Sequence, residues 1–188
     1  MHKLRPDLTS ALSAMLDKID EFIRSGGYSG DPIRMFLAGG MAQHFHCGSR
    51  YSEAVDASFS ARLLLPAIDL TVDYVCEDGT HFVLYFDANY NDTFALTHPD
   101  YRADAIEWLG IGNEKRLVHL FVLTPVDLAV SKISRFSPDD RSDILLLASS
   151  GLITGPSLRE RAIQALDYYV GNTSWVRATI DQVCAEIG

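Results

Sequence analysis

The residue types that can do chemistry are concentrated in residues 36–59. An apolar run at 35–38 indicates a short buried strand, and Gly39 and Gly40 follow it directly. A strand that ends in glycines at the start of a helix leaves backbone N–H groups unscreened by side chains, which favours phosphate binding. Asp56, on the next predicted strand, would then hold a metal ion against those phosphates.

Several predicted elements position these residues. We expect a short helix over 41–47 and a strand over 54–59. Alternation predicts a hairpin of strands 69–76 and 81–89, joined by a turn that contains Asp-Gly, and a further strand over 117–123. His44 and His46 lie two apart in the predicted helix, so they point to different sides and their spacing disfavours a shared metal ion.

Asp87 lies inside the apolar run of the second hairpin strand. A carboxylate in such a place needs a partner, because burying it alone is costly. One interpretation is a salt-bridged or hydrogen-bonded aspartate at the end of a strand. The other is a functional, metal-binding role, which depends on the family resemblance described below.

Two helix starts follow in the C-terminal part of the chain. Thr-Pro at 124–125 and Ser-Pro at 137–138 each supply a hydroxyl cap and then a proline at the first helical position. Lys132 and Arg135 lie three apart on the first of these helices, so both can occupy one face. From the residues alone, that face is a solvated surface, and a phosphate-binding role depends on the family resemblance described below.

Composition limits the classes of function. The net charge of −9 argues against broad nucleic-acid or DNA binding by phosphate neutralisation, although a local pocket for a nucleotide or one RNA end remains compatible with it. No apolar run of about 18 residues occurs, so we predict no membrane span. Three well-separated cysteines and an N-terminus without an apolar core favour a cytoplasmic protein.

The same stretch resembles the nucleotidyltransferase superfamily, of the minimal type related to polymerase beta. It is similar to the bacterial group akin to the nucleotidyltransferases of type IV, abortive-infection toxin–antitoxin systems, whose pattern runs G-G-x-A and then R-x-[TS]-x-D-[VI]-D. This chain has Gly-Gly-Met-Ala at 39–42 and Arg-Tyr-Ser-Glu-Ala-Val-Asp at 50–56. A second similar stretch, at 123–153, contains Asp127, Lys132, Arg135, Arg141 and Asp143.

The chain departs from that pattern at one position, because Ala54 stands where the family has its first aspartate. Residues 54 and 56 share a face of a strand, so two carboxylates there would bracket a pair of metal ions. Glu53 points to the opposite face and is a poor substitute. The alanine is either a natural loss of part of the metal site or an engineered inactivation.

The resemblance implies an α+β fold, with a nucleotidyltransferase-like mixed β-sheet, packed helices and a C-terminal helical portion. We expect residues 1–123 to form the core and 124–188 to form the helical portion packed on it. Asp56 and Asp87 would hold Mg²⁺ or Mn²⁺, and Asp143 would orient Lys132 or Arg135. The nucleoside triphosphate would be bound by Gly39, Gly40, Arg50, Ser52, Lys132 and Arg135.

Two classes of function follow from the resemblance. The first is an enzyme that transfers a nucleotidyl group from a nucleoside triphosphate to a tRNA or protein hydroxyl, in a toxin–antitoxin or phage-defence setting. In it Asp56, Asp87 and Lys132 would be catalytic and Ala54 would mark the missing carboxylate. The alternative is a noncatalytic, degenerate fold that acts as an antitoxin bound to a cognate protein, or as a nucleotide sensor.

Overall fold

The computed structural model describes residues 5–48, 52–66, 69–76, 78–112 and 115–188. Helices and two mixed β-sheets confirm the predicted α+β class. The strands within these residues are β1 Ile33–Leu37, β2 Ala54–Val55, β3 Ala57–Phe59, β4 Thr71–Val75, β5 His81–Phe86, β6 Ile106–Glu107 and β7 Val118–Val122. The helices are α1 Pro6–Ser25, α2 Gly39–Cys47, α3 Tyr101–Asp104, α4 Pro125–Ile133, α5 Pro138–Ser149, α6 Gly155–Leu166 and α7 Thr173–Ile187.

The chain forms two compact units. The first comprises Met1–Tyr90 and Ile106–Val122, and the second comprises Asn91–Ala105 and Leu123–Gly188. The division into 1–123 and 124–188 stays a prediction, because compactness alone does not show which part of a chain folds by itself. None of the helices in the described ranges has the length and apolar character needed to cross a membrane.

The first unit contains both sheets. One has the strand order β3-β1-β7-β6, with β1 parallel to β7 and antiparallel to β3. The other has the order β2-β5-β4, with β2 parallel to β5 and β5 antiparallel to β4. Helix α1 contacts β4 and β7 and buries an apolar face at helical spacing that includes Leu8, Leu12, Met15 and Ile19.

The second unit is helical, and its helices begin with side-chain caps. Thr124, Ser137 and Thr154 each accept a hydrogen bond from the backbone N–H three residues later, at the starts of α4, α5 and α6. Asn172 does the same for α7. Such caps stabilise helix ends because they satisfy N–H groups that have no partner inside the helix.

Three boundaries near the candidate site differ from the prediction. The strand expected over 54–59 is interrupted at Asp56, since β2 pairs with β5 in one sheet and β3 pairs with β1 in the other. The strand expected over 81–89 ends at Phe86, so Asp87 follows it instead of lying inside it. Helix α2 begins at Gly39, two residues before the predicted start.

Candidate functional site

Gly39 occupies the turn between β1 and α2, and only glycine fits there. Its φ of +57° is in the left-handed region, which is unfavourable for residues with a Cβ. A Cβ built on Gly39 would also lie 2.7 Å from Cγ of Asp56, because that carboxylate lies directly against the glycine. The turn is therefore shaped by the close approach of the carboxylate that the sequence predicts as a metal ligand.

Gly40 is similarly covered by the predicted ligand-binding residue Ser52. A Cβ on Gly40 would lie 2.5 Å from Cβ of Ser52, and the Ser52 hydroxyl accepts a hydrogen bond of 3.2 Å from the N–H of Ala54. Ala38, before the helix, supplies no side-chain cap, so α2 presents its positive N-terminal end beside Asp56 and Ser52. Arg50, predicted to bind the nucleotide, lies outside the described residues.

The pairing of β2 with β5 brings the two predicted metal ligands together. Ala54 pairs with Tyr85 and Val55 with Phe86 in parallel register. The N–H of Asp87 then donates to the carbonyl of Val55 over 3.1 Å, which extends the same register by one step. Asp56 and Asp87 are therefore neighbours at the ends of adjacent strands, where backbones lie about 4.8 Å apart.

Asp87 makes the hydrogen bond expected of an aspartate at the end of a strand. Its Oδ1 accepts a hydrogen bond of 2.8 Å from the N–H of Asn89, which is the turn chemistry expected of an aspartate at a strand end. The side chain is only partly buried, and no salt bridge to it occurs among the described residues. This contact uses Oδ1 of Asp87, and a metal-binding role for its carboxylate stays a prediction.

With alanine at position 54, the predicted metal site would have two carboxylates, Asp56 and Asp87. Ala54 lies in β2, two residues before Asp56, and pairs with Tyr85 of β5. Within the described parts of the chain, no group of three or more His, Cys, Asp or Glu side chains is arranged to hold a metal ion. The oxygen-rich pair of Asp56 and Asp87 fits Mg²⁺, which is commonly held by one or two carboxylates plus substrate phosphates.

In the second unit, Lys132 belongs to a buried ion-pair network. Its side chain is 7% exposed, and Nζ donates to Oδ2 of Asp143 over 2.8 Å and lies 3.8 Å from Oδ1 of Asp140. Asp143 therefore orients Lys132, one of the two options that the sequence left open. These contacts join α4 to α5, and a role for the ammonium toward phosphate stays a prediction.

Arg135, the other predicted nucleotide-binding cation of this helix region, pairs with Asp140. Two guanidinium nitrogens donate to the carboxylate over 2.7 Å each, while the Arg135 side chain is 76% exposed. Burial disfavours the charged form of Asp140, but hydrogen bonds from Arg135 and Ser137 outweigh it and lower the pKa of the carboxyl to about 2. Asp140 therefore stays ionised. The Ser-Pro-Asp-Asp sequence had predicted the start of α5, which contains this residue.

The second unit also contains a polar cavity that the sequence did not reveal. Arg161 donates to both carboxylate oxygens of Asp127, over 2.7 and 3.0 Å, and to Asp104 over 2.6 Å. These residues line a cavity of ≈ 390 Å³ together with Thr124, Ser157 and Gln164. They come from three separate segments, so no local spacing could have predicted the cluster.

The two histidines of α2 give no support to a shared metal site. His44 is buried, and its Nε2 accepts a hydrogen bond of 3.3 Å from the backbone N–H of Arg5. His46 stacks edge-on against Phe45, with ring centroids 5.1 Å apart. These contacts are those of side chains that pack α2 within the first unit.

No curated protein matches the chain. The family described as "Nucleotidyltransferase of unknown function" (DUF6036) matches residues 15–181, which include the Gly-Gly turn, both aspartates and the ion-pair network. The match extends over most of the 188 residues. The chain therefore belongs to this family of nucleotidyltransferases of unknown function.

Proposed function

We propose that this chain binds a nucleoside triphosphate with Mg²⁺ at the Gly39–Gly40 turn and serves nucleotidyl transfer. The observation that supports this most is the contact of the Asp56 carboxylate with Gly39, at a point where the backbones of Asp56 and Asp87 are neighbours. A phosphate at the start of α2 would lie next to both carboxylates. This combination would bind a metal-bound phosphate better than either feature alone.

In this proposal the helix end binds the phosphates and the two aspartates bind the metal ion. The N-terminal N–H groups of α2 bind phosphate oxygens, and Asp56 and Asp87 hold the cation against them. A bound Mg²⁺ would lower the pKa of an acceptor hydroxyl and stabilise the pyrophosphate as it leaves. The acceptor oxygen forms a bond to the α-phosphorus, the bond from that phosphorus to the bridging oxygen breaks, and the hydroxyl proton is released.

The alanine at position 54 should lower the rate of this reaction. With only two carboxylates the cation is held less firmly, so transfer by this chain should be slow or absent while nucleotide binding persists. A carboxylate at position 54 would project beside Asp56 and complete the set. We therefore expect the Ala54→Asp variant to transfer label from an α-labelled nucleoside triphosphate about 10- to 100-fold faster than the unmodified chain.

The test compares the unmodified chain with Ala54→Asp and with Ala54→Asn, which adds a side chain of the same size without the charge. Each is incubated with Mg²⁺, each labelled nucleoside triphosphate, total tRNA and cell proteins. Label transferred by Ala54→Asp and not by Ala54→Asn would support the proposal. Absence of transfer by all three, together with absence of nucleotide binding, would refute it.

Ala54 also supports a second candidate, a noncatalytic protein that binds nucleotide and a cognate toxin or antitoxin. On this hypothesis Ala54→Asp would bind Mg²⁺ and nucleotide more tightly without transferring label to any acceptor. Cys47, Cys76 and Cys184 are buried and not disulfide-bonded, which fits a reducing, cytoplasmic compartment for either candidate. The toxin–antitoxin or phage-defence setting is proposed from the family resemblance.

A further inference from the structure

The first unit contains a cavity beside β6 and β7 that the nucleotide site does not use. Its volume is ≈ 340 Å³, which is within the range of small-molecule sites in proteins. We call it the Trp108 cavity. Most of its lining is apolar and comprises Leu16, Trp108, Leu109, Ile111, Val118 and Leu120.

Contacts within the unit hold the Trp108 wall of this cavity in place. The backbone N–H of Trp108 donates to the carbonyl of Leu120 on β7 over 2.9 Å. The indole ring lies against Phe45 of α2, with ring centroids 4.7 Å apart. This wall is therefore formed without a ligand, and a preformed site lowers the entropic cost of binding.

The buried cation of the cavity, Arg116, is already engaged by the protein. Its side chain is 3% exposed, and it donates to the carbonyl of Ile111 over 3.0 Å and to the carbonyl and hydroxyl of Ser13 over 2.9 and 2.7 Å. Its Nε donates to Oδ1 of Asp17 over 2.7 Å, so a carboxylate balances its charge. Arg116 thus fixes the loop that follows Trp108 onto α1 and does not require an anionic ligand.

The partly exposed polar residues of the lining, Glu107 and His119, face each other. Oε1 of Glu107 lies 3.6 Å from Nδ1 of His119. Arg34, which pairs with His119 in the sheet, places its guanidinium over the Phe121 ring, 5.7 Å from the centroid. Among the described residues that line the cavity, each charged side chain thus has a polar partner in the protein. A charged ligand group would lose hydration here without meeting an unengaged opposite charge.

Leu109 shows where the cavity opens to solvent. This apolar side chain lines the cavity and is 78% exposed, whereas its neighbour Trp108 is buried. A molecule that entered beside Leu109 would cover apolar surface of both residues. Removing that surface from water would favour an apolar ligand.

We propose that the Trp108 cavity binds a small uncharged aromatic molecule. Its ring would pack against Trp108 and the aliphatic side chains of the lining. A hydroxyl group on it would reach the polar pair of Glu107 and His119. This inference does not rest on the nucleotide site, so each can fail without the other.

The fluorescence of Trp108 tests this site directly. The chain has two tryptophans, so Trp175→Phe, a change at an exposed position of the second unit, leaves Trp108 as the single emitter. This variant is titrated with 2-phenylethanol, 2-phenylethylamine and phenylacetate, which share a ring and differ in charge. We expect a saturable change of emission with 2-phenylethanol, and affinities at least about fivefold weaker for the two charged compounds.

A charge at the opening tests the location. In the Trp175→Phe background, Leu109→Asp should weaken the binding of 2-phenylethanol at least about fivefold, because the ring would then contact a carboxylate. Leu64→Asp is the matched control, since Leu64 is equally exposed in the same unit and does not line the cavity. It should leave the affinity unchanged. Both positions are on the surface, so we expect both variants to fold.

Three results would overturn the inference. They are the absence of a saturable emission change with 2-phenylethanol, an affinity for the amine or the carboxylate that equals or exceeds that for the alcohol, and equal binding by Leu109→Asp and Leu64→Asp. The first would show that the cavity does not bind the ring. The second would show that the ligand is charged, and the third that 2-phenylethanol binds elsewhere.

Discussion

At the scale of single residues, the contact between Gly39 and Asp56 is the most restrictive feature of the site. The glycine needs both a positive φ and the absence of a Cβ, because the carboxylate occupies the space that a Cβ would take. Gly27 offers a comparison within the same unit. Its φ is +76°, but a Cβ there would have no neighbour within 4 Å.

We therefore predict that Gly39→Ala destabilises the protein more than Gly27→Ala does. The Gly27 variant should lose about 1 kcal/mol, the cost of a left-handed alanine. The Gly39 variant should lose at least about 2 kcal/mol more, because Asp56 must also move, and it should bind nucleotide poorly. Urea unfolding measures both changes, and equal losses for the two variants would show that Asp56 does not constrain the turn.

Asp140 gives a pH-dependent prediction. Its pKa in the folded protein is about 2, below the ordinary value of 3.8, so its ionised form stabilises the fold. This contribution is fully present above pH 3.8 and is lost as the pH falls through 2. The shift corresponds to about 2 kcal/mol at neutral pH.

Asp140→Asn should therefore lower the free energy of unfolding by about 2 kcal/mol at pH 7 and by much less near pH 2. Glu160→Gln removes an exposed carboxylate from α6 and should change stability by less than about 0.5 kcal/mol. Chemical denaturation across this pH range measures the difference. A loss that stays constant with pH would contradict the assignment of the stabilisation to the ionised carboxyl.

At the scale of elements, the Lys132–Asp143 ion pair joins α4 to α5. Both side chains are only 7% exposed, so removing one partner leaves the other charged and buried. Lys132→Met should cost about 3 kcal/mol, and a second change, Asp143→Leu, should recover part of that loss. Thermal unfolding of the single and double variants measures the coupling.

The double variant also tests the predicted role of Lys132 toward phosphate. If Lys132 serves only to join α4 to α5, the folded double variant should bind Mg²⁺–nucleotide as well as the unmodified chain does. A loss of affinity of tenfold or more in a stable double variant would assign Lys132 to the nucleotide. Circular dichroism provides the control for folding.

Local signals predicted the elements and the β4–β5 hairpin, but not the pairing of strands that lie far apart in sequence. The hydroxyl–proline starts of α4 and α5 were correct because a cap and its helix are neighbours in sequence. The interruption at Asp56 was missed because residues 54–59 read as one strand, and only pairing with β5 and β1 assigns its halves to different sheets. The cluster of Arg161, Asp127 and Asp104 was missed for the same reason, since its members are far apart in sequence.

At the scale of the whole molecule, the chain passes between its two units more than once. Residues 91–105 belong to the second unit, where Asp104 accepts a hydrogen bond from Arg161 of α6. A fragment of residues 124–188 would lack that segment. We predict that it is less helical and melts at a lower temperature than the same helices in the full chain.

Circular dichroism of the fragment and of the full-length Asp104→Asn variant measures this effect. The variant removes the charge but keeps the segment, so it should be less damaging than the deletion. A fragment as helical and as stable as the full chain would instead support a division at residue 123.

The nucleotide site itself is tested most directly by Mg²⁺-dependent nucleotide binding to the natural chain, measured by calorimetry. Asp87→Asn is the decisive variant, because asparagine keeps the acceptor for the N–H of Asn89 but removes the charge. Asp73→Asn, an exposed carboxylate of β4, is the matched control. We expect binding that requires Mg²⁺, falls at least about tenfold in Asp87→Asn and is unchanged in Asp73→Asn. Nucleotide binding that requires neither Mg²⁺ nor the Asp87 carboxylate, or no binding at all, would contradict a metal-assisted nucleotide site at Asp56 and Asp87.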